Sequence, residues 1–132
     1  MKKWAGALLI SNSGEVILQE RDKKLGIVNP GMITLFGGSV EEENVEACLK
    51  REVEEELSLR DFHFEFFKLY QKRKVTHGED CDCYVYIIRD VDVRNINVNE
   101  GQGYTLVSSD YDRLGAKLSL VTLNVLHDYF GS

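Results

Sequence analysis

The segment from residue 44 to residue 57 constrains the fold most, because it is the clearest helix in the sequence. At about 100° per residue, one side of this helix carries an apolar stripe. The stripe consists of Val45, Cys48, Leu49, Val53 and Leu57. Glu46, Lys50 and Glu54 fall on the opposite side, where their i,i+4 spacing allows ion pairs in solvent. A helix with these two faces packs its apolar side against another layer, and Asn44 stands in the position of its N-cap.

Apolar runs around this helix predict a sheet. The runs 4–10 and 15–20 flank a Ser-Asn-Ser-Gly turn and are typical of a hairpin. Further strands are predicted at 33–36, 61–71, 84–88 and 104–107, a loop at 95–103, a brief helix near Ser109, and a last helix at 120–130 capped by Ser119. Because strands occur before, between and after helices, we predict an α+β fold with helices packed on a mixed sheet, in one domain over residues 1–132.

The charge balance limits what the chain binds. Twenty-two acidic and sixteen basic side chains give a net charge of -6, which argues against binding to a nucleic-acid backbone. No run approaches the ~18 apolar residues of a membrane span, and the apolar run after Lys3 is a better first strand than a secretory signal. Three cysteines show no disulfide-like spacing. We therefore expect a cytoplasmic protein without affinity for membranes.

Three glutamates of the helix do not join its solvent-facing side. Glu52, Glu55 and Glu56 cluster within roughly 100° of arc that overlaps the edge of the apolar stripe. Carboxylates turned toward a core repel one another and lose hydration, which is costly unless a cation lies among them. An acidic helix is more often a solvated surface, but this helix already has a separate solvated face. Oxygen ligands favour a hard cation, so the pattern indicates Mg²⁺, with Mn²⁺ as an alternative, through which an acidic chain can bind a phosphate ester.

The segment from Gly37 to Leu59 resembles the Nudix box, whose signature is G-x5-E-x7-R-E-U-x-E-E-x-G-U, where U is a bulky aliphatic residue. The matching positions are Gly37, Glu43, Arg51, Glu52, Val53, Glu55, Glu56 and Leu59. So many fixed positions make the match far more specific than a short glycine motif. The sequence departs from the pattern at Ser58, where the family usually has glycine, and this predicts a differently built turn. Counted from Gly38, the loop before the helix is one residue shorter than is common.

The resemblance implies an α/β/α sandwich and a Mg²⁺-dependent hydrolase of nucleoside diphosphates linked to another moiety. It implies that Glu52, Glu55 and Glu56 are metal ligands, together with the carbonyl of Gly37. It also implies that Arg51 and Glu43 hold the loop–helix–loop in shape, which places Arg51 in the catalytic set. Family members often pair, so a homodimer is a further expectation.

Outside the box the resemblance is looser. Glu100-Gly101-Gln102 resembles the segment that gives MutT-type members an additional metal-binding glutamate, so Glu100 is a candidate ligand and catalytic residue. Arg21 occupies a place where such enzymes often carry a substrate-contacting arginine, although a solvated strand end explains it equally well. Arg21 and the Gly37–Gly38 pair are thus the expected substrate contacts.

The resemblance leads to a mechanistic hypothesis in which water attacks one phosphorus of the substrate. Glu52 is the first candidate for the general base and Glu100 the second. A nucleoside triphosphate, an oxidised one, a nucleotide sugar and ADP-ribose all present a suitable diphosphate, and the Glu-Gly-Gln segment favours triphosphates. The alternatives are a nucleotide-binding or regulatory module without catalysis and a structural domain stabilised by metal. The complete set of carboxylates argues against the first alternative.

The remaining cysteines and aromatic residues are predicted to be structural. Cys81 and Cys83 alternate along a strand and lack a second cysteine pair, so we expect packing or partial exposure rather than zinc binding. Cys48 lies on the apolar stripe and is expected in the core. One face of the strand at 61–71 is expected to pack on the core through Phe62, Phe64 and Phe66.

Overall fold

A computed structural model describes residues 2–23, 31–72, 80–99 and 103–131. The strands are β1 (Lys2–Ser11), β2 (Val16–Glu20), β3 (Ile33–Thr34), β4 (Phe36–Ser39), β5 (Glu65–Lys72), β6 (Cys81–Val91) and β7 (Gly103–Val107). The helices are α1 (Val45–Leu57) and α2 (Leu120–Leu126), which continues as a π-helical turn over His127–Gly131. Short 3₁₀ segments cover Val93–Asn95 and Tyr111–Lys117. Within the described ranges, no helix has both the length and the apolar character needed to cross a bilayer.

The strands form one mixed sheet in the order β3-β2-β1-β6-β5, with β4 also paired to β1 and β7 to β2. Only the β1–β6 pair is parallel among the described strands. The predicted hairpin of β1 and β2 is confirmed, because Leu9 lies opposite Ile17 and Ile10 opposite Val16. Leu35 separates β3 from β4, so the chain leaves β2 there and joins β1.

An apolar core lies on each face of the sheet, because successive side chains of a strand point to opposite faces. In β1, Ala7 and Leu9 belong to the core beneath α1, whereas Leu8 and Ile10 belong to the core beneath α2. The α1 core takes its helical members from the predicted stripe: Cys48, Leu49, Val53 and Leu57. The predicted mixed sheet flanked by helices is therefore confirmed.

The aromatic strand differs from its prediction. β5 begins at Glu65 rather than at residue 61, and the register of its pairing with β6 shifts between Phe66 and Lys68. Phe62 and Phe64 precede the strand and pack against the α1 core, but Phe66 is 54% exposed. The expectation of three phenylalanines on one buried strand face is thus wrong for Phe66, because it lies in the strand at the end of the sheet order, where no further described strand covers it.

The cysteine pair of β6 is buried, so of the two predicted alternatives the structure shows packing rather than partial exposure. Cys81 and Cys83 point to the α2 face of the sheet, and their Sγ atoms lie 3.9 Å apart. Burial raises the pKa of Cys83 to about 12, so this thiol stays protonated at neutral pH. The pair acts as small core residues, like Cys48 on the other face.

Candidate active site

The N-terminal end of α1 is fixed by its cap. Asn44 has extended backbone angles, and its Oδ1 accepts a hydrogen bond from the backbone N–H of Ala47 at 2.8 Å. This is the geometry of an N-cap, which satisfies one of the free donors in the first helical turn. The predicted cap is therefore confirmed, and it fixes where α1 begins relative to β4.

The C-terminal end of α1 is fixed by the segment 97–99. The backbone N–H groups of Asn97 and Asn99 donate to the carbonyls of Leu57 at 3.1 Å and Glu56 at 2.8 Å. The side-chain Nδ2 of Asn99 donates to the carbonyl of Glu55 at 2.9 Å. The last carbonyls of a helix have no partner within the helix, so these three bonds satisfy them. They hold the turn that carries Glu55 and Glu56.

Ser58 ends α1 in the left-handed conformation, with φ 59° and ψ 27°. Its N–H donates to the carbonyl of Glu54 at 2.9 Å, and its Oγ accepts from Asn99 at 3.0 Å. The prediction of a differently built turn is therefore wrong. Serine adopts the conformation that glycine usually provides after a helix, at a cost of about 1 kcal/mol from its Cβ.

Replacing Ser58 by glycine tests this cost. Ser58→Gly and Ser58→Ala both remove the hydroxyl that Asn99 contacts, but only Gly removes the Cβ from the left-handed position. We expect Ser58→Gly to exceed Ser58→Ala by about 1 kcal/mol in the free energy of unfolding, measured by urea denaturation. Equal stability of the two variants would show that the turn is not strained.

Arg51 connects the loop before α1 to the carboxylates on the helix. Its Nε and Nη2 donate to Oε1 of Glu43 at 3.0 and 2.5 Å. Its Nη1 donates to Oε1 of Glu52 at 2.9 Å and lies 3.5 Å from Oε2 of Glu55. The hydrogen bond from Arg51 holds the pKa of Glu43 below its usual range, and the same bond raises the pKa of Arg51. The loop between Gly38 and α1, although one residue shorter than is common in the family, thus still brings Glu43 to Arg51.

The three glutamates of α1 differ in exposure. Glu56 is 1% exposed, and the side chain of Glu52 is 15% exposed. The side chain of Glu55 is 54% exposed and lies beside Arg51. The expectation that all three lean toward the sheet therefore holds for Glu52 and Glu56 but not for Glu55. The reason is position: at 100° per residue Glu56 falls among the buried stripe residues, whereas Glu55 falls at the edge of the stripe, near Arg51.

Two glycines of β4 make room for this arrangement. A Cβ on Gly38 would lie 2.2 to 2.7 Å from the carboxylate atoms of Glu52. A Cβ on Gly37 would lie 2.2 Å from the backbone oxygen of Ala5 in the neighbouring strand. Gly38 therefore lets the carboxylate of Glu52 lie directly on the strand, and Gly37 lets β4 approach β1.

A family model described as the NUDIX domain matches residues 2–110. The chain belongs to the NUDIX domain family. Its segment from Gly37 to Leu59 is a Nudix box, and the expected α/β/α fold is confirmed with it. The predicted pyrophosphohydrolase is confirmed as well, in a family that generally uses divalent metal ions.

Solved structures share the fold of this Nudix domain. The crystal structure of the MutT NUDIX hydrolase from Burkholderia pseudomallei is 24% identical, over 96% of this chain and 95% of that chain, with a TM-score of 0.80. The MutT protein from Methanosarcina mazei Go1 is 20% identical, over 98% and 91%, with a TM-score of 0.75. The NUDIX domain of Shewanella oneidensis NrtR, solved with ADP ribose, is 14% identical, over 96% and 84%, with a TM-score of 0.77.

The Nudix box offers oxygen donors that fit a hard divalent cation. Glu52 rests in a space that a Cβ on Gly38 would fill, and Glu56 is withdrawn from solvent on the next turn. Among the described residues, however, no three acidic, histidine or cysteine side chains already surround one point. Nη1 of Arg51 contacts both Glu52 and Glu55. A cation bound by these two carboxylates would therefore compete with Arg51 for their oxygens.

The residues predicted outside the Nudix box are less closely connected to it. Arg21 directly follows β2 and is partly buried, and its N–H donates to the carbonyl of Met32 at 2.9 Å. It therefore lies beside the chain that leads through β3 into the Gly37–Gly38 pair. Glu100, with Gly101 and Gln102, lies outside the described residues.

Sequence reasoning missed two residues of this region. Asn99 has no role in the predicted site, although it holds the C-terminal turn of α1 through its backbone and side chain. The alternation of Asn95, Asn97 and Asn99 within the predicted loop is the signal from which a polar capping segment could have been predicted. The sequence predicts Cys48 only as a core residue, yet its thiol also contacts Arg51 and β4. No pattern in the sequence indicates those contacts.

Proposed function

We propose that this Nudix domain hydrolyses a pyrophosphate bond in a nucleoside diphosphate linked to another moiety, and that Glu52, Glu55 and Glu56 bind Mg²⁺. One observation carries the proposal: the carboxylates of Glu52 and Glu56, one turn apart on α1, are both withdrawn from solvent, and that of Glu52 lies against Gly38. Burying carboxylates together is costly without compensating positive charge. A divalent cation held by these carboxylates would supply more of that charge than Arg51 alone.

The residues of the site divide into metal ligands, residues that orient them, and substrate contacts. When bound by these carboxylates, a divalent cation would neutralise charge on the phosphate and make water a better nucleophile. Glu43 holds the guanidinium of Arg51, and Arg51 in turn orients Glu52. The carbonyl of Gly37 is the further ligand that we propose, and the Gly37–Gly38 backbone and Arg21 contact the substrate.

Glu52 is the proton acceptor that we propose. Its carboxylate is fixed on one side by Gly38 and on the other by Arg51 at 2.9 Å, so its orientation is set before substrate arrives. A general base must hold a defined position relative to the attacking water, and a preset carboxylate provides this. Glu100 remains the second candidate for this role.

The substrate is proposed as a nucleotide derivative. Solved relatives of the same fold include MutT proteins and a NUDIX domain with bound ADP ribose. We therefore propose nucleoside triphosphates and ADP-ribose as the two classes to test first, with an oxidised triphosphate and a nucleotide sugar beside them. A homodimer and a cytoplasmic location remain predictions.

A substrate panel with and without metal tests the proposal. We expect the wild-type protein to hydrolyse at least one of these four nucleotides with Mg²⁺ or Mn²⁺. We expect EDTA to abolish turnover and to lower the thermal unfolding temperature while the protein remains folded at the assay temperature. Glu55→Gln is expected to lower kcat by about tenfold or more, because it removes one negative oxygen donor.

The outcomes separate the competing functions. Tight binding of a nucleotide without hydrolysis under either metal contradicts the proposal and supports a binding module. Unfolding in EDTA contradicts it as well, and supports a structural ion. Full activity of Glu55→Gln would remove Glu55 from the proposed ligand set.

A further inference from the structure

Cys48 contacts three parts of the site at once. It is fully buried on α1, one helical turn before Glu52. Its Sγ lies 3.4 Å from the carbonyl oxygen of Ser39 and 3.7 Å from that of Gly38. Nη2 of Arg51 donates to the same sulfur at 3.8 Å. The thiol therefore lies where the glycine strand, α1 and the Arg51 guanidinium meet.

Cys48 and Glu52 attach α1 to the same point of β4. They are four residues apart, so they project from the same side of the helix on successive turns. Cys48 contacts the carbonyl of Gly38, and the carboxylate of Glu52 occupies the space where a Cβ on Gly38 would stand. A shift of α1 away from β4 that breaks the contact between Cys48 and the Gly38 carbonyl therefore also moves the carboxylate of Glu52 away from Gly38.

The chemistry of a thiol suits this position. Sulfur has a larger radius than oxygen, so it reaches both carbonyls from the helix, and S–H is a weak donor while sulfur is a weak acceptor. Burial raises the pKa of Cys48 to about 11, so the proton needed for donation is present at neutral pH. Alanine offers neither the reach nor the proton, and serine offers the proton with a shorter reach.

We propose that Cys48 is a positioning residue for the reaction: it joins α1 to the carbonyls of Gly38 and Ser39 and thereby sets the position of Glu52 and Arg51. The inference rests on the proposed function, because it concerns the geometry of that same site. It assigns Cys48 no contact with substrate.

Three variants test this role. Cys48→Ala removes the contacts, Cys48→Ser restores a donor, and Cys83→Ala removes a buried thiol from the opposite core. For each we would measure kcat and KM on a substrate that the wild type hydrolyses, Mn²⁺ affinity by electron paramagnetic resonance, and the thermal unfolding temperature. Cys48→Ala is expected to lower kcat about fivefold or more with little change in KM, and to weaken Mn²⁺ binding, since small displacements of reacting groups have large effects on rate. Cys48→Ser is expected to recover part of both losses.

The control separates positioning from packing. Cys83→Ala is expected to lower the unfolding temperature while leaving kcat and Mn²⁺ affinity unchanged. The proposal is overturned if Cys48→Ala behaves like Cys83→Ala, or if Cys48→Ser is no better than Cys48→Ala in kcat and Mn²⁺ affinity. If the wild type hydrolyses no nucleotide, the proposed function fails, and the Mn²⁺ affinities of the same variants still decide whether Cys48 positions the carboxylates.

Discussion

Glu52→Gln is expected to lower kcat by about 10²- to 10³-fold while the protein remains folded. The substitution keeps the shape of the side chain and a hydrogen-bond acceptor for Arg51, so the contacts that hold α1 on β4 persist. It removes the negative charge and the proton acceptor that the proposed reaction requires. Steady-state kinetics on the substrate found in the panel, together with circular dichroism, measures both parts of this expectation.

Glu54→Gln is the matched control for Glu52→Gln. Glu54 lies on the same helix, but its carboxylate is half exposed and pairs with Arg60 at 2.9 Å on the outer side. The change in charge is identical, so a general effect of charge on the helix or the substrate would appear in both variants. We expect Glu54→Gln to retain the wild-type kcat, and an equal loss in the two variants would contradict the role of Glu52.

Alanine substitutions at the two neighbouring glycines of β4 are expected to have different effects, one on kcat and the other on stability. In Gly38→Ala the new Cβ meets the end of the Glu52 side chain, which can rotate away, so we expect a folded protein with about 10- to 100-fold lower kcat. In Gly37→Ala the new Cβ meets the backbone oxygen of Ala5, which cannot move alone. We expect that variant to lose about 2 kcal/mol or more of unfolding free energy in urea denaturation.

A double-mutant cycle shows whether Gly38→Ala acts through Glu52. Gly38→Ala is expected to lower kcat strongly in the wild type but less than twofold in the Glu52→Gln background, because there is no functional carboxylate left to displace. Independent, multiplicative losses would mean that the alanine disturbs something other than Glu52.

The sequence predicted those features of this Nudix domain that depend on local periodicity. Spacing along α1 identified Cys48, Leu49, Val53 and Leu57 as the side that packs, and the structure buries all four. The same spacing separated Glu56 from the solvent-facing glutamates of the helix. Periodicity succeeds here because the helix buries one face only, so each position has one consistent environment.

The features that the sequence did not predict depend on contacts between distant segments. Ser58 takes the left-handed conformation beside Asn99, forty-one residues away, and no local pattern indicates that pairing. Phe66 is exposed because β5 lies at the end of the described sheet order, a position set by its long-range pairing with β6. Each of these outcomes follows from tertiary packing rather than from local propensity.

Titration of the metal-free protein with Mn²⁺, followed by electron paramagnetic resonance, tests directly whether the three glutamates of α1 bind a divalent cation. The titration needs no substrate. We compare the wild type with Glu56→Gln, whose carboxylate is the most deeply buried of the three, and with the outer-face variant Glu54→Gln. We expect saturable binding by the wild type and by Glu54→Gln, and an affinity at least about tenfold weaker in Glu56→Gln, because a ligand oxygen loses its charge. Equal affinity in all three proteins, or no retained ion at millimolar Mn²⁺, would contradict it.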